Sequence, residues 1–345
     1  MNKLLLKINF FFKIFARYLL KKFIYAHKSK REQNKITNLY KELSTKNKYL
    51  ALINTTSIGS LSSQINYYYK YANSKNLDIK DSFIFLAKKE NICNKFFVNN
   101  LKKKLSIKFD DELYDLIMLK EGLKFFLERN LVIEFKNDFV NYMPNINFPF
   151  EFSKREVFKA EKLLAKLKIN KKKKLVGIAY KDNTYWNLRN IKKPWDYYRH
   201  SSASNLIESI QYLKKRGYQC VLLGDNSENK LLNKTEIIKL NGLSNSEREL
   251  LDIYIYSKME FAIIGALGLK FLAEMFGVPI LSHNGLLPQW QSDGIFLPKK
   301  YVDSITKKII PLNDLLKRKI VCLDFDEGKI QLVLKEPLIF RDINE

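Results

Sequence analysis

The sequence predicts an α/β fold built from two similar halves. Three observations predict it. Apolar runs of strand length alternate with helical stretches along most of the 345 residues, the pattern of parallel strands covered on both faces. The alternation stops at 141–152 (NYMPNINFPFEF), with two Pro, three Asn and no periodicity, and restarts beyond it. Several predicted strands run into glycine or other small residues, and open α/β sheets bind ligands at those carboxyl ends. Two such halves imply a cleft, an N-terminal domain over 38–150 and a C-terminal domain over 151–345.

Residues 1–31 precede both. They hold nine Lys or Arg and no Asp or Glu, and no charge-free run in them exceeds five residues. A membrane span needs about 20 apolar residues, so none is expected. Lys13 and Arg17 break the apolar core of a signal peptide. At 100° per residue, Leu4, Ile8, Phe11, Phe12, Phe15, Leu19 and Phe23 share one face, with Lys7, Lys13, Arg17 and Lys21 opposite. The segment therefore reads as a basic amphipathic helix, with residues 1–26 lying on an anionic membrane surface, or packed on the protein itself with its lysines outward. A polar linker is expected at 27–37.

In the first half, strands are expected at 49–56, 82–86 and 131–135, and helices at 62–73, 92–104 and 111–130. In the second half, Ser153 and Glu156 form an S-x-x-E capping box that opens a helix to about Lys168. Strands follow at 175–180, 220–223, 261–264 and 278–281, with helices at 204–216, 246–257 and 269–276.

The formal net charge is +25, from 61 basic and 36 acidic residues. Taken alone, that suggests nucleic acid or an anionic membrane. Only ten of the basic residues are Arg, in a chain rich in Asn and Ile, as an AT-rich coding sequence would leave. Phosphate readers favour the bidentate fork of Arg, so nucleic acid is not the expected partner. Cys93, Cys220 and Cys322 lie far apart, with no C-x-x-C, and read as small buried apolar residues.

The densest chemistry lies in the 181–202 loop, KDNTYWNLRNIKKPWDYYRHSS. It carries Lys181, Asp182, Arg189, Lys192, Lys193, Arg199 and His200 among Tyr185, Trp186, Trp195, Tyr197 and Tyr198. It then delivers Ser201 and Ser202 to a helix start. Cations, hydroxyls and a helix N-terminus favour a phosphate-bearing ligand. Gly224 and Asp225 close the next strand, and Gly265 and Gly268 flank a small-residue turn whose amides suit a diphosphate. Glu274, two turns on, suits a ribose hydroxyl or plain solvent. Ser57 and Gly59, after the first strand, frame an acceptor site or a tight turn.

No P-loop, G-x-G-x-x-G, H-E-x-x-H or G-x-S-x-G is present. His27, His200 and His283 are scattered and form no expected metal cluster with the cysteines. Asp324 and Asp326 have D-x-D spacing but lie in a strand-like C-terminal run. A metal-independent reaction with no cofactor is expected.

Four stretches carry a family resemblance: FSKREVFKAEKLLAKLKI (152–169), LVGIAYKD (175–182), YRHSSASNLIESIQYLKKRGYQCVLLGD (198–225) and FAIIGALGLKFLAEMFGVPILSHNGLLP (261–288). They resemble the bacterial glycosyltransferases of surface-polysaccharide clusters that have GT-B architecture and are distantly similar to fucosyltransferases. The third is the most specific, being similar to the family's Y-R-N-a-x-x-x-N-Y-I-x-A-I-x-Y-L-x-x-x-G-Y-x-V-I-R-M-G. The resemblance covers about 152–300 and is thin in the first half.

It implies two facing Rossmann-like domains, the acceptor side N-terminal and the nucleotide-sugar donor side C-terminal. It also implies hexosyl or deoxyhexosyl transfer to a growing glycan, lipid-linked if the amphipathic segment holds the chain on the inner face of the cytoplasmic membrane. Lys181 falls where the family's H-x-R places Arg, and Arg199 matches the arginine of Y-R. Gly224 matches the glycine closing the next strand, and Gly268 the glycine of a small, usually Ser-containing turn. Three positions depart: Ala179 stands for the His of H-x-R, Lys181 for its Arg, and Leu267 for the Ser before Gly268. On this reading Lys181 and Arg199 neutralise the diphosphate, with Ser201, Ser202 and the 265–268 amides assisting, and Asp182 is the candidate base. The departures leave a second expectation, a catalytically inactive GT-B-like glycan-binding or assembly protein.

Overall fold

The computed structural model describes residues 30–133, 146–182, 199–224, 232, 235–285, 294–318 and 338–341. The amphipathic segment 1–26, most of the 181–202 loop, Asp225, Cys322 and the Asp324/Asp326 pair lie outside the described residues. The chain divides into two compact units, and the chain path alternates between them.

The described part of the first unit comprises 30–53, 77–91 and 105–133. It opens with α1 (Lys30–Thr45), which takes the place of residues 30–37 of the linker expected at 27–37. Ile36, Leu39, Tyr40 and Leu43 recur at helical spacing, and Leu39 and Leu43 are buried with Leu50, Leu86 and Phe126. The sheet is three parallel strands in the order β1 (Tyr49–Ile53), β2 (Phe83–Ala87) and β3 (Ile107–Phe109). Of the strand expected at 131–135, the described residues 131–133 make one isolated bridge, from Val132 to Leu50, and 134–135 lie outside the described residues. The helix expected over 111–130 is two, α5 (Asp111–Met118) and α6 (Lys120–Leu127), broken at Leu119, whose ψ is 140°. Gly122 permits the tight junction: a Cβ there would lie 2.3 Å from the Leu116 carbonyl oxygen, so glycine lets the second helix close on the first. A one-turn helix, α3 (Ile79–Ser82), leads into β2.

The second unit takes α2 (Ile58–Ser74) and α4 (Lys95–Lys104) together with the chain from 146 onward. After the capping box, α7 (Lys154–Lys166) leads to β4 (Leu175–Ala179). A 3₁₀ turn (Ala203–Leu206) precedes α8 (Ile207–Lys215), then β5 (Gln219–Leu222) and the unexpected β6 (Ile238–Lys239). Next come α9 (Asn245–Tyr254), β7 (Met259–Ile264), α10 (Leu269–Met275) and β8 (Ile280–Gly285). The sequence reading also missed β9 (Ile295–Pro298), β10 (Lys300–Asp303), α11 (Leu312–Lys317) and β11 (Leu338–Arg341).

The sheet is six parallel strands in the order β6-β5-β4-β7-β8-β9. Counted from β4, that is 3-2-1-4-5-6, the order of a dinucleotide-binding Rossmann sheet. β4 is buried at every position, as a strand covered on both faces must be. The described end of the Pro- and Asn-rich segment is fixed by aromatic packing: Phe150 meets Phe97 and Phe276, and Phe152 meets Tyr254 and Phe276.

Candidate active site at the carboxyl edge of the six-stranded sheet

The strand order fixes where this edge can hold a ligand. From β4 the chain proceeds outward through β5 and β6, then returns to add β7 on the other side. The carboxyl ends of β4 and β7 therefore flank the topological switch point, where loops leave in opposite directions and open a crevice. Lys181 follows β4 there, and the 265–268 turn follows β7.

Three hydrogen bonds fix the described end of the 181–202 loop on this edge. The Ser201 amide donates to the Lys181 carbonyl at 2.9 Å. Arg199 Nε donates to the Ala266 carbonyl at 2.8 Å, tying the guanidinium to the 265–268 turn. Lys299 Nζ donates to the His200 carbonyl at 2.7 Å, while its own amide bonds the Gly285 carbonyl at the end of β8. Four strand ends, those of β4, β7, β8 and β9, thus converge on residues 199–201.

Gly265 lies beside Tyr180 and Ser201, at a spacing that would give a side chain ordinary van der Waals contact. A Cβ there would stand 3.4 Å from Tyr180 Cα and 3.6 Å from Ser201 Oγ. The Ser201 hydroxyl is buried and makes no hydrogen bond among the described residues. Two amides of the turn are already engaged, that of Gly265 by the Ala179 carbonyl and that of Leu267 by the Gly265 carbonyl. The expectation of a wholly open set of amides is corrected accordingly. Lys181 is buried, and Asp182 beside it is half-buried.

Other expected residues have more structural surroundings. The Ser202 side chain accepts from the Ser204 amide and caps the 3₁₀ turn. Gly224 has φ of +81°, a conformation that favours glycine, and its carbonyl accepts from Arg248 Nη2 at 2.9 Å. The loop expected over 57–61 is helical from Ile58, with Ser57 at the N-cap position and no side-chain cap bond, and Gly59 lies against Gly268.

Glu274 is not solvated. It lies six residues, about 9 Å along the helix axis, below Gly268, and is 8% exposed. Its Oε1 accepts from Lys70 Nζ at 3.3 Å and from Asn66 Nδ2 at 3.4 Å, both on α2.

Sequence reasoning missed Lys270. It sits in the first turn of α10 and is 5% exposed. Burial, reinforced by Arg199 and opposed by Glu274, pushes its ammonium group down to about 7. Lys299 and Arg248 were also missed. Each reads in sequence as a solvated lysine or arginine, and only the fold shows that they tie loops to strand ends. Cys220 is buried, its thiol pushed up to about 11 by burial, and it is unreactive in this state. Among the described residues, no group of three or more His, Cys, Asp or Glu side chains is placed to hold a metal, and no helix is long and apolar enough to cross a membrane.

No family model and no curated protein sequence matches the chain. Solved structures are similar in chain path at low identity. A glycosyl transferase family 9 protein from Veillonella parvula DSM 2008 aligns with TM-score 0.47 and 9% identity, over 84% of this chain and 96% of that one. The ADP-heptose LPS heptosyltransferase II of E. coli aligns with TM-score 0.43 and 10% identity, over 73% and 90%. The dodecameric, iron-containing heptosyltransferase TibC in complex with ADP-D-beta-D-heptose, an E. coli protein, aligns with TM-score 0.38 and 10% identity, over 84% and 72%.

Proposed function

We propose that this chain is a glycosyltransferase of GT-B type, moving a sugar from a nucleotide-sugar donor to a lipid-linked bacterial surface glycan. One observation carries the reading: Lys181, Arg199, the Ser201 hydroxyl and Gly265 meet at the switch point of a sheet with Rossmann strand order. Sugar transfer separates the anomeric carbon from a nucleoside diphosphate, and negative charge grows on the leaving oxygen. Fixed cations and hydrogen-bond donors stabilise that charge without reorganising at the moment of reaction.

In this proposal Lys181 and Arg199 face the diphosphate. The Ser201 hydroxyl donates to a phosphate oxygen, and Ser202, Gly265 and Gly268 shape the turn that receives it. Gly224 and Asp225 line the neighbouring strand end, toward the nucleoside. Glu274, which accepts from Lys70 and Asn66, holds α10 against α2 beside the site. Asp182, next to Lys181 in the chain, takes the proton of the acceptor hydroxyl. Ser57 and Gly59 lie on the acceptor side, 38–150 and 151–345 are the acceptor and donor domains, and no metal takes part. Residues 1–26 hold the chain on the inner face of the cytoplasmic membrane, and their deletion is expected to release it from anionic liposomes.

The test is a thermal-shift screen of the full chain against GDP, UDP, CDP and ADP, followed by turnover with donors of whichever base binds. Stabilisation by none of the four would overturn the proposal. The departures at Ala179 and Leu267 favour a second reading, an inactive glycan-binding or assembly protein. Nucleotide binding without turnover over a broad donor panel would select it.

A further inference from the structure

Exposed apolar side chains are not spread evenly over the described residues. Seven large ones are exposed, and three of them, Ile305 at 81%, Ile309 at 59% and Leu312 at 51%, fall within eight residues. Scattered singles are ordinary, whereas a cluster marks a surface that meets something.

The fold holds this cluster in place. β10 ends in a tight turn, where the Asp303 carboxylate accepts from the amides of Ile305 at 2.9 Å and Thr306 at 2.7 Å. The Asp303 amide donates to the Lys308 carbonyl, and the Lys307 amide to the Asp303 carbonyl, both at 3.0 Å. Ile305 is therefore at the tip of a hydrogen-bonded turn and not on a loose loop. The chain then returns beside β10, with a bridge from Ile309 to Val302, and enters α11 at Leu312. Ile310 alternates with Ile309 and is buried, its amide bonded to the Tyr301 carbonyl at 2.8 Å.

Charge names the partner. Every exposed charge over 303–318 is positive: Lys307, Lys308, Lys317 and Arg318. The acids of the stretch, Asp303 and Asp314, are half-buried, and Asp303 is engaged by the turn. Apolar side chains set among cations, with no exposed acid, complement an anionic bilayer, whose headgroup region takes up the first and whose phosphates attract the second. We infer that 303–318 is a membrane contact of the second unit, in which Ile305, Ile309 and Leu312 enter the headgroup region of an anionic leaflet and Lys307 and Lys308 lie over its phosphates.

One such contact binds only marginally, and two together hold a protein; residues 1–26 are the other. The contact also lies close to the candidate site. Lys299, six residues before Ile305, bonds the Gly285 and His200 carbonyls at the carboxyl edge of the sheet. Six residues span at most roughly 20 Å of extended chain. Docking there keeps that edge near the headgroups, where a lipid-linked acceptor is found. This use of the contact rests on the function proposed above; the contact itself does not.

Flotation of the full chain with vesicles of phosphatidylcholine, alone or with phosphatidylglycerol added, tests the inference. The wild type is expected to float with the anionic vesicles and far less with the neutral ones. Ile305→Asp replaces an exposed apolar side chain by a negative one, so partitioning into anionic vesicles should fall about tenfold or more, with the urea midpoint unchanged. Lys307→Glu with Lys308→Glu should act in the same direction, and it reads the same surface should Ile305→Asp not fold. Ile305→Trp should keep partitioning, and its added fluorescence should be quenched by lipids brominated on their acyl chains. Wild-type partitioning in both charge-changing variants overturns the inference and leaves membrane binding to residues 1–26. A wild type that floats with neither vesicle overturns it too. So does a wild type that sediments as a dimer and an Ile305→Asp that sediments as a monomer, since the patch is then an interface between copies. If Ile305→Asp leaves the vesicles and no nucleoside diphosphate stabilises the chain, the contact stands and the nucleotide-sugar reading falls. If nucleotides stabilise the chain and Ile305→Asp still floats, the reverse holds.

Discussion

Gly59 and Gly268 touch backbone to backbone. A methyl group on Gly59 would lie 2.4 Å from Gly268 Cα, and one on Gly268 would lie 2.9 Å from Gly59 Cα. Because each would strike main chain, neither can be relieved by a rotamer change. Two helices, α2 and α10, are thereby held at the spacing that lets Lys70 reach Glu274.

Gly59→Ala tests this contact with an unusual sign. Alanine inside a helix is ordinarily worth about 1 kcal/mol over glycine. Here the clash should outweigh that gain, leaving a net loss of about 1–3 kcal/mol. A lower urea midpoint is the expected result, and a raised midpoint would show that α2 can move away.

The Lys70–Glu274 pair should be strongly coupled. Removing one partner leaves the other buried and uncompensated, so Glu274→Ala should cost about 3–5 kcal/mol. The double replacement Lys70→Met with Glu274→Leu should cost less than Glu274→Ala alone, as a double-mutant cycle would show. Additive losses would mean that the 3.3 Å contact contributes little.

Arg199→Lys keeps the charge but loses the Nε bond to the Ala266 carbonyl. The melting temperature should barely change, because the turn keeps its Ser201 and Lys299 bonds. Nucleoside-diphosphate affinity should fall about tenfold, about 1.4 kcal/mol. Unchanged affinity would remove Arg199 from the site.

The sheet of the second unit was largely legible in sequence, and the physics says why. Strands such as LVGIA and QCVL are buried on both faces and read as continuous apolar runs. β3 and β6, at sheet edges and only three and two residues long, leave no such run. The break at Leu119 was invisible because leucine is a good helix former, and the close packing of Gly122 on Leu116 is visible only in the fold. The site divides the same way. Residues at strand ends, such as Lys181 and Gly265, follow from the α/β rule. Lys270 and Lys299 did not, since a lysine carries no sequence mark of burial. Their roles come from tertiary neighbours: Arg199 and Glu274 for one, the His200 carbonyl for the other.

Acid should act on the second unit through Glu161. Burial would raise its carboxyl, but hydrogen bonds from Lys171 at 2.6 Å, Tyr254 at 2.5 Å and Lys258 at 3.2 Å outweigh that and hold it down to about 2. A depressed folded-state value means stability that is present above the unfolded value, about 4.3 for glutamate, and lost as pH falls through about 2. Urea unfolding of the wild type and of Glu161→Gln should therefore differ most near neutrality. Their difference should shrink from about pH 4.5 downward, as the wild-type carboxylate protonates and loses its three donors. A difference that stays constant to about pH 2 would show that Glu161 acts through packing and not through charge.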